Sequence, residues 1–294
     1  MRMISAVGVA LCLATAGLQA QQQVQVFVAV DGGGAAPAAI TPADLRLTEG
    51  GLDLKVTKVE PVTGWPSKLQ ILLDNGVGLG GENLIHMRNG LRGMLEALPA
   101  GVEVTVVTTA PQPRMLVRAT SDKAAMLKGV DLLSPDGGAG RFVESLNEAL
   151  QRTERDKADH FPMIVAVGSS AGDRNVMDRD IERIQQRLVA RPATIHVVIL
   201  SSPQRSAGQG AVQGEVGMGV AKMTGGRFES IAAPSRLATL MPELGQMVAA
   251  SHQKQSSQYR VTADRPNPSA PLAGVSVSAT AAKVTGVSFD GRHP

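Results

Sequence analysis

Apolar residues follow two different periods along the chain. Near both ends, short segments alternate apolar and polar residues, which is the period of a half-buried strand. These segments are 23–30, 52–62, 258–263, 274–279 and 283–289. In the middle of the chain, apolar runs such as "LQILL" at 69–73 alternate with stretches whose apolar residues recur every three or four positions, as they do between Leu84 and Leu98. The two ends and the middle therefore predict different kinds of structure.

The middle of the chain predicts the fold class. Strand and helix patterns alternate about six times between residues 67 and 255, which predicts an α/β domain with a doubly wound, mostly parallel sheet covered by helices on both faces. Ser121 is the predicted N-cap of the helix at 121–133. The glycine-rich stretch from Ser201 to Gly217 follows a central strand, and we expect it to be a mobile loop.

The two flanks, 21–66 and 256–294, are expected to form one small β-unit. Isolated two-stranded pieces are marginal in water, and each alternating segment leaves an apolar face that needs a partner. The ends of compact domains often lie close together, so pairing the flanks requires no long connection.

The first twenty residues, "MRMISAVGVALCLATAGLQA", have the layout of a secretory signal peptide, with one Arg, an apolar run and small residues before a Gln-rich segment. We therefore expect export to the periplasm or beyond it, with cleavage after Ala20 and no stable membrane span afterwards. The single cysteine, Cys12, lies inside this segment. The mature chain would then have no disulfide.

Composition excludes two classes of partner. Aromatic residues make up only 2% of the chain, which argues against sugar-stacking surfaces and against platforms for single-stranded nucleic acid. Lys and Arg number 29 against 26 Asp and Glu, and the basic residues are dispersed among the acids. No nucleic-acid partner is expected.

The loop "DNGVGLGG", Asp74 to Gly81, follows the first central strand, where ligands bind in such sheets. Read from Gly76 to Gly81 it satisfies G-x-G-x-x-G, the dinucleotide fingerprint. Two details oppose that interpretation. Asp74 would place a carboxylate beside the pyrophosphate, and the next strand ends in "VVTTA", with no acid to hold a ribose hydroxyl.

A second motif, "GSSAG", forms G-x-S-x-G from Gly168 to Gly172, between a predicted strand and helix. A serine hydrolase using Ser170 also needs a later acid and a later histidine to take the hydroxyl proton. His196 falls within the next strand and His252 follows a long amphipathic helix. Neither histidine occupies an obvious catalytic loop, so a plain strand-to-helix turn is the alternative.

A third interpretation comes from a resemblance. The central domain together with its flanks, "VFVAVDGGGAAPAAITPADLRLTEGGLDLKVTKVEP" upstream and the Tyr-led "SSQYRVTADRPNPSAPLAGVSVSATAAKVTGVSFDGRHP" downstream, resembles the secreted bacterial von Willebrand factor A proteins described as VWFA-related. The resemblance covers 24–292. It implies a Rossmann-like A domain at 67–255.

The resemblance also implies a metal-ion-dependent adhesion site, built in the family from D-x-S-x-S, a later Thr and a later Asp. Here only Asp74 remains of that set. Gly76 and Gly78 replace the serines, Gly140 stands for the Thr, and the acidic position falls near Ser169, with Asp136 or Asp173 as the available substitutes. A hard divalent cation needs several oxygen ligands, so the resemblance implies a degenerate site and no Mg²⁺ or Mn²⁺ cofactor.

The expected function is that of an exported, non-enzymatic protein-binding or scaffold protein. A serine hydrolase and a dinucleotide-binding protein are the alternatives. The partner is an unidentified protein, and the oligomeric state is left open. The residues expected near the partner surround the first loop: Asp74, Asn75, Gly76, Gly78, Gly140, Arg141, Ser169 and Ser170.

Overall fold

The structure is a computed structural model that describes residues 23–31, 40–171, 176–201, 211–265, 274–280 and 283–292. The expected signal peptide at 1–20, Gly172, Asp173 and loop residues 202–210 lie outside the described residues. The chain forms one compact unit within residues 64–253 and a second from the described residues before 64 and after 253.

The strands of the described residues are β1 Gln23–Asp31, β2 Leu45–Glu49, β3 Leu52–Pro61, β4 Ser67–Leu73, β5 Val102–Thr108, β6 Arg114–Thr120, β7 Phe161–Ser169, β8 Thr194–Leu200, β9 Phe228–Ile231, β10 Gln258–Asp264, β11 Val275–Ala279 and β12 Lys283–Ser288. The helices are α1 Leu84–Ala97, α2 Lys123–Asp131, α3 Phe142–Arg155, α4 Asp178–Ala190, α5 Ala211–Thr224 and α6 Leu237–Ser256.

The unit of residues 64–253 is built on a six-stranded sheet with the order β6-β5-β4-β7-β8-β9. Every neighbouring pair is parallel except β5 and β6, which are antiparallel. One face packs against α1, α2 and α6, and the other packs against α3, α4 and α5. The α/β class predicted from the sequence pattern is confirmed.

Strand β4 shows how the sheet separates its two cores. Leu69, Ile71 and Leu73 enter the first core, while Leu72 enters the second. Gln70 lies on the second face and is buried there because its polar atoms are satisfied. Its Nε2 donates to Ala149 O and Thr153 Oγ1, both at 2.9 Å, and its Oε1 accepts from Arg152 Nε at 2.8 Å.

Two local predictions are corrected. Helix α2 is capped by Asp122 and not by Ser121, because the Asp122 carboxylate accepts hydrogen bonds from Ala124 N and Ala125 N. The predicted loop ends earlier than Gly217, since α5 already begins at Ala211. A Cβ on Gly217 would lie 2.7 Å from Val197 Cγ1, so this glycine allows the helix to pack closely on β8.

The second unit contains one six-stranded sheet with the order β11-β2-β3-β10-β1-β12, in which every pair is antiparallel. Strand β10 from the end of the chain lies between β1 and β3 from its beginning. The alternating residues Val26, Val28, Leu47 and Val261 are fully buried in a small core. Within the described ranges, no helix of either unit is long and apolar enough to cross a bilayer.

Candidate functional site

Strands β4 and β7 are parallel neighbours, so the loops that follow them meet at the carboxyl edge of the sheet. Asp74 directly follows β4, and its backbone N–H continues the ladder by donating to Val167 O at 2.8 Å. Ser169 is the last residue of β7. The topology therefore brings together two residues that lie 95 positions apart in sequence.

The Asp74 carboxylate is enclosed by hydrogen bonds. Ser169 Oγ donates to Asp74 Oδ2 at 2.7 Å, and Gly76 N donates to Asp74 Oδ1 at 2.8 Å. Only 2% of the residue is exposed to solvent. Burial raises the pKa of Asp74 above its usual range, and the hydrogen bonds from Ser169 and Gly76 oppose that rise.

Asn75 connects three loops at the same edge. Its Nδ2 donates to Ser134 O at 2.9 Å, and its Oδ1 accepts from Ala110 N at 3.2 Å. Its backbone O accepts from Asp136 N at 2.7 Å. The side chain is buried, so it holds the loops together from inside the site.

The three glycines of the predicted site close around Asp74. A Cβ on Gly140 would lie 2.5 Å from Asp74 Cγ, and a Cβ on Gly78 would lie 2.5 Å from Ser169 Cβ. A Cβ on Gly76 would meet Gly138 O and would lie 2.9 Å from Ala110 Cβ. Protein atoms therefore occupy the space into which side chains at these positions would extend.

Neither a protein-family model nor a curated protein sequence matches the chain. Solved structures do match. A von Willebrand factor type A protein from Catenulispora acidiphila aligns with a TM-score of 0.51 at 12% identity, over 76% of this chain and 65% of that chain. The chain has the von Willebrand factor A fold.

Two further solved structures share the A-domain fold. The pilus adhesin SpaC from Lactobacillus rhamnosus GG has a TM-score of 0.51 at 8% identity, over 71% of this chain and 35% of that chain. Proximal thread matrix protein 1 from the mussel byssus, solved with a zinc-occupied MIDAS motif, has a TM-score of 0.50 at 11% identity, over 65% of this chain and 50% of that chain. All three matches span less than two thirds of the solved chain.

The residues of this A domain do not fit a bound divalent cation at the family's metal position. Such an ion needs several oxygen ligands. Asp74 is the only carboxylate of the usual set, and both its oxygens already accept hydrogen bonds from the protein. Asp136 Oδ1 accepts from Gly138 N at 3.2 Å. The described residues contain no group of three His, Cys, Asp or Glu side chains able to hold a metal.

The geometry around Ser170 does not assemble a catalytic triad with His196 or His252. His196 is paired with Val165, five residues before Ser170, which is about 16 Å along a strand. Its Nδ1 accepts from Arg227 N at 3.0 Å. His252 Nδ1 lies 2.9 Å from Ser67 Oγ, and Ser67 begins β4 at the opposite edge of the sheet. Ser170 itself is buried.

Four backbone amides of the glycine loop donate within the protein, so they are not available to a pyrophosphate. Gly76 N donates to Asp74 Oδ1, and Val77 N donates to Gly138 O at 3.0 Å. Leu79 N and Gly80 N both donate to Gly76 O. These amides are engaged inside the protein.

The structure divides the predicted site residues into two groups. Asp74, Asn75, Ser169 and the three glycines form the closed network at the carboxyl edge, with buried Ser170 beside it. Arg141 is exposed, and its Nε donates to Pro111 O at 3.2 Å. Val77, which lies between Gly76 and Gly78 in the same loop, was not among the predicted site residues, and its side chain is exposed. An apolar residue between two glycines of a loop was the only feature of the sequence that could have indicated an exposed contact residue here.

Proposed function

We propose that this protein is an exported, non-enzymatic binding or scaffold protein whose A domain contacts a protein partner without a bound cation. The observation that carries this proposal is the closed network around Asp74. In an open metal site, the bound cation keeps one coordination position free, and a carboxylate of the partner protein fills that position. Here each carboxylate oxygen of Asp74 accepts a hydrogen bond from Ser169 or Gly76, the residue is buried, and the glycines around it have no side-chain oxygen to bind a cation.

The partner then contacts the exposed residues around Asp74 and not Asp74 itself. Val77 is 63% exposed in the first loop, and Arg141 is exposed in the loop that leads into α3. Arginine is one of the residue types enriched at protein interfaces, and an exposed apolar side chain gains free energy when a partner covers it. The affinity should therefore depend on these residues and be insensitive to chelators.

Two further observations support export and a binding role. The first twenty residues have the layout of a signal peptide. The structures that share the fold include a pilus adhesin and a thread matrix protein, both of which are non-catalytic by name. Fold likeness alone does not transfer a function, so the proposal rests on the site.

Site-specific crosslinking tests the proposal. A photoreactive amino acid would replace Val77 in one variant and Val189, which is 82% exposed on α4, in the matched control. Both variants would be exposed to envelope extract and irradiated in EDTA and in Mg²⁺. We expect a discrete crosslinked protein from the Val77 position only, with the same yield in both buffers.

Two results would contradict the proposal. A crosslink that forms in Mg²⁺ and disappears in EDTA would show that the partner needs a cation. Labelling of Ser170 by a fluorophosphonate probe, lost in Ser170→Ala, would show instead that the protein has an activated serine.

A further inference from the structure

Strand β6 forms an open edge of the A-domain sheet. It pairs with β5 on one side, and no other strand of the described residues pairs with it on the other side. An unpaired edge presents backbone N–H and C=O groups that can hydrogen-bond to an added strand. None of the hydrogen bonds described around Asp74 involves a residue of β6, so the role inferred for this edge does not rest on the function proposed for those loops.

Two hollows flank β6, one on each face of the sheet. The first, of about 390 Å³, extends over β4 and β5 and is lined by Met115, Arg118 and Arg152 among others. The second, of about 320 Å³, lies between β6 and α2 and is lined by Leu116, Lys128 and Leu132 among others. Successive side chains of an added strand point to opposite faces, so each hollow can receive alternate residues.

Each hollow has an exposed apolar side chain in its lining, which stands among polar and charged side chains in the first hollow and mostly among apolar ones in the second. Met115 is 45% exposed and Leu132 is 62% exposed. Strand β5 contributes Glu103 and Thr105 to the lining of the first hollow, and α3 contributes Arg152 and Thr153. The edge therefore combines unpaired backbone with exposed apolar side chains.

The charge at this edge is positive. Arg114, Arg118 and Lys128 are cations, and among the described residues none of them has an ion-pair partner. The nearby acids are engaged elsewhere: Asp131 pairs with Arg92 at 2.7 Å, and Glu103 lies 3.8 Å from Lys68. Strand β6 itself, "RMLVRAT", contains no acid. An acidic segment complements this surface, whereas a basic one is repelled.

We infer that β6 binds an extended acidic peptide segment of a partner protein by strand addition. The segment's backbone pairs with the outer edge of β6, its acidic side chains face Arg114 and Arg118, and its apolar side chains enter the two hollows. Main-chain hydrogen bonds supply affinity in this mode, and the alternate side chains supply specificity.

A designed peptide tests this inference. The probe is a fluorescent peptide of about seven residues, matched to the length of β6, with the repeating order Glu-Glu-Val-Val, so that each face of the added strand carries both Glu and Val. One control peptide has Lys in place of Glu, and another has N-methylated backbone amides that cannot pair with a strand. Fluorescence anisotropy with the whole chain at low salt should show binding of the acidic peptide only. Hydrogen exchange should show added protection of β6.

Two protein variants locate the site. Arg114→Glu combined with Arg118→Glu should weaken binding of the acidic peptide by about tenfold, through two lost attractions and two new repulsions. Arg179→Glu, at an exposed position of α4, should leave the affinity unchanged. Equal binding of the N-methylated peptide, or an unchanged affinity of the double variant, would overturn the inference. The inference would also be overturned if the double variant self-associates and the parent protein binds no peptide. That result would mean that the two arginines only prevent the edge from pairing with another copy of the chain.

Discussion

The closed site around Asp74 predicts that adding one methyl group at residue 140 destabilises the A domain. In Gly140→Ala, the new Cβ would lie 2.5 Å from Asp74 Cγ and 2.6 Å from Oδ2. Ordinary contacts between such atoms are about 3.5–4.0 Å, so the carboxylate or the loop must move by about 1 Å. That movement strains the hydrogen bonds from Ser169 and Gly76.

The expected cost follows from those contacts. Overpacking a closed site costs about 1–3 kcal/mol, and weakening hydrogen bonds to a carboxylate adds about 1–2 kcal/mol. The reduced entropy of the unfolded chain returns about 0.4–1 kcal/mol. We therefore expect Gly140→Ala to lower the free energy of unfolding by about 1–4.6 kcal/mol.

Gly137→Ala is the matched control in the same loop. A Cβ at residue 137 would meet no atom within 4 Å, so this variant should be neutral or more stable by up to about 1 kcal/mol. Trp65, the only tryptophan, packs 5.5 Å from Phe161 between ring centroids, so urea unfolding followed by its fluorescence reports on the A domain. Equal unfolding midpoints for the two variants would refute the reasoning, because they would show that the space beside Asp74 is not filled.

Four other outcomes are expected. The stability of Asp74→Asn relative to the parent should rise from pH 4 to pH 8, since the folded-state pKa of Asp74 is raised above 3.8 and ionising the buried group costs the parent stability as pH rises. Burial lowers the pKa of His196 from 6.5 to about 4. The stability contributed by the neutral ring is therefore fully present above pH 6.5, and the free energy of unfolding falls by up to about 3 kcal/mol as the pH drops towards 4. His196→Gln should flatten that slope in urea titrations. Millimolar Mg²⁺ should leave the melting temperature unchanged, and a saturable rise that is lost in Asp74→Ala would contradict this. Deleting residues after Gln255 should make residues 23–62 sensitive to protease because β10 lies between β1 and β3, whereas an unchanged digestion pattern would count against it.

The order of helices and strands in the A domain could be predicted from local pattern alone. The apolar run at 69–73 indicates a strand, and the three- and four-residue spacing of apolar residues after Leu84 indicates a helix. Both patterns depend only on residues that are neighbours in sequence. The position of Asp74 after the first central strand could be predicted for the same reason. The error at α5 arose because glycines predict loops locally, whereas Gly217 is required by the close packing of α5 against Val197.

Residue type and spacing were enough to predict the α/β class and the β-patterned flanks, and the resemblance to von Willebrand factor A proteins implied that only Asp74 remains of the metal-ligand side chains. What surrounds Asp74 is a property of the folded chain. Folding brings Ser169 to within 2.7 Å of Asp74, and it packs Gly78 and Gly140 so closely that a side chain would collide with its surroundings. Folding also makes β6 an antiparallel edge with cations that have no ion-pair partner among the described residues. These features depend on distances between residues far apart in sequence, which no local period encodes.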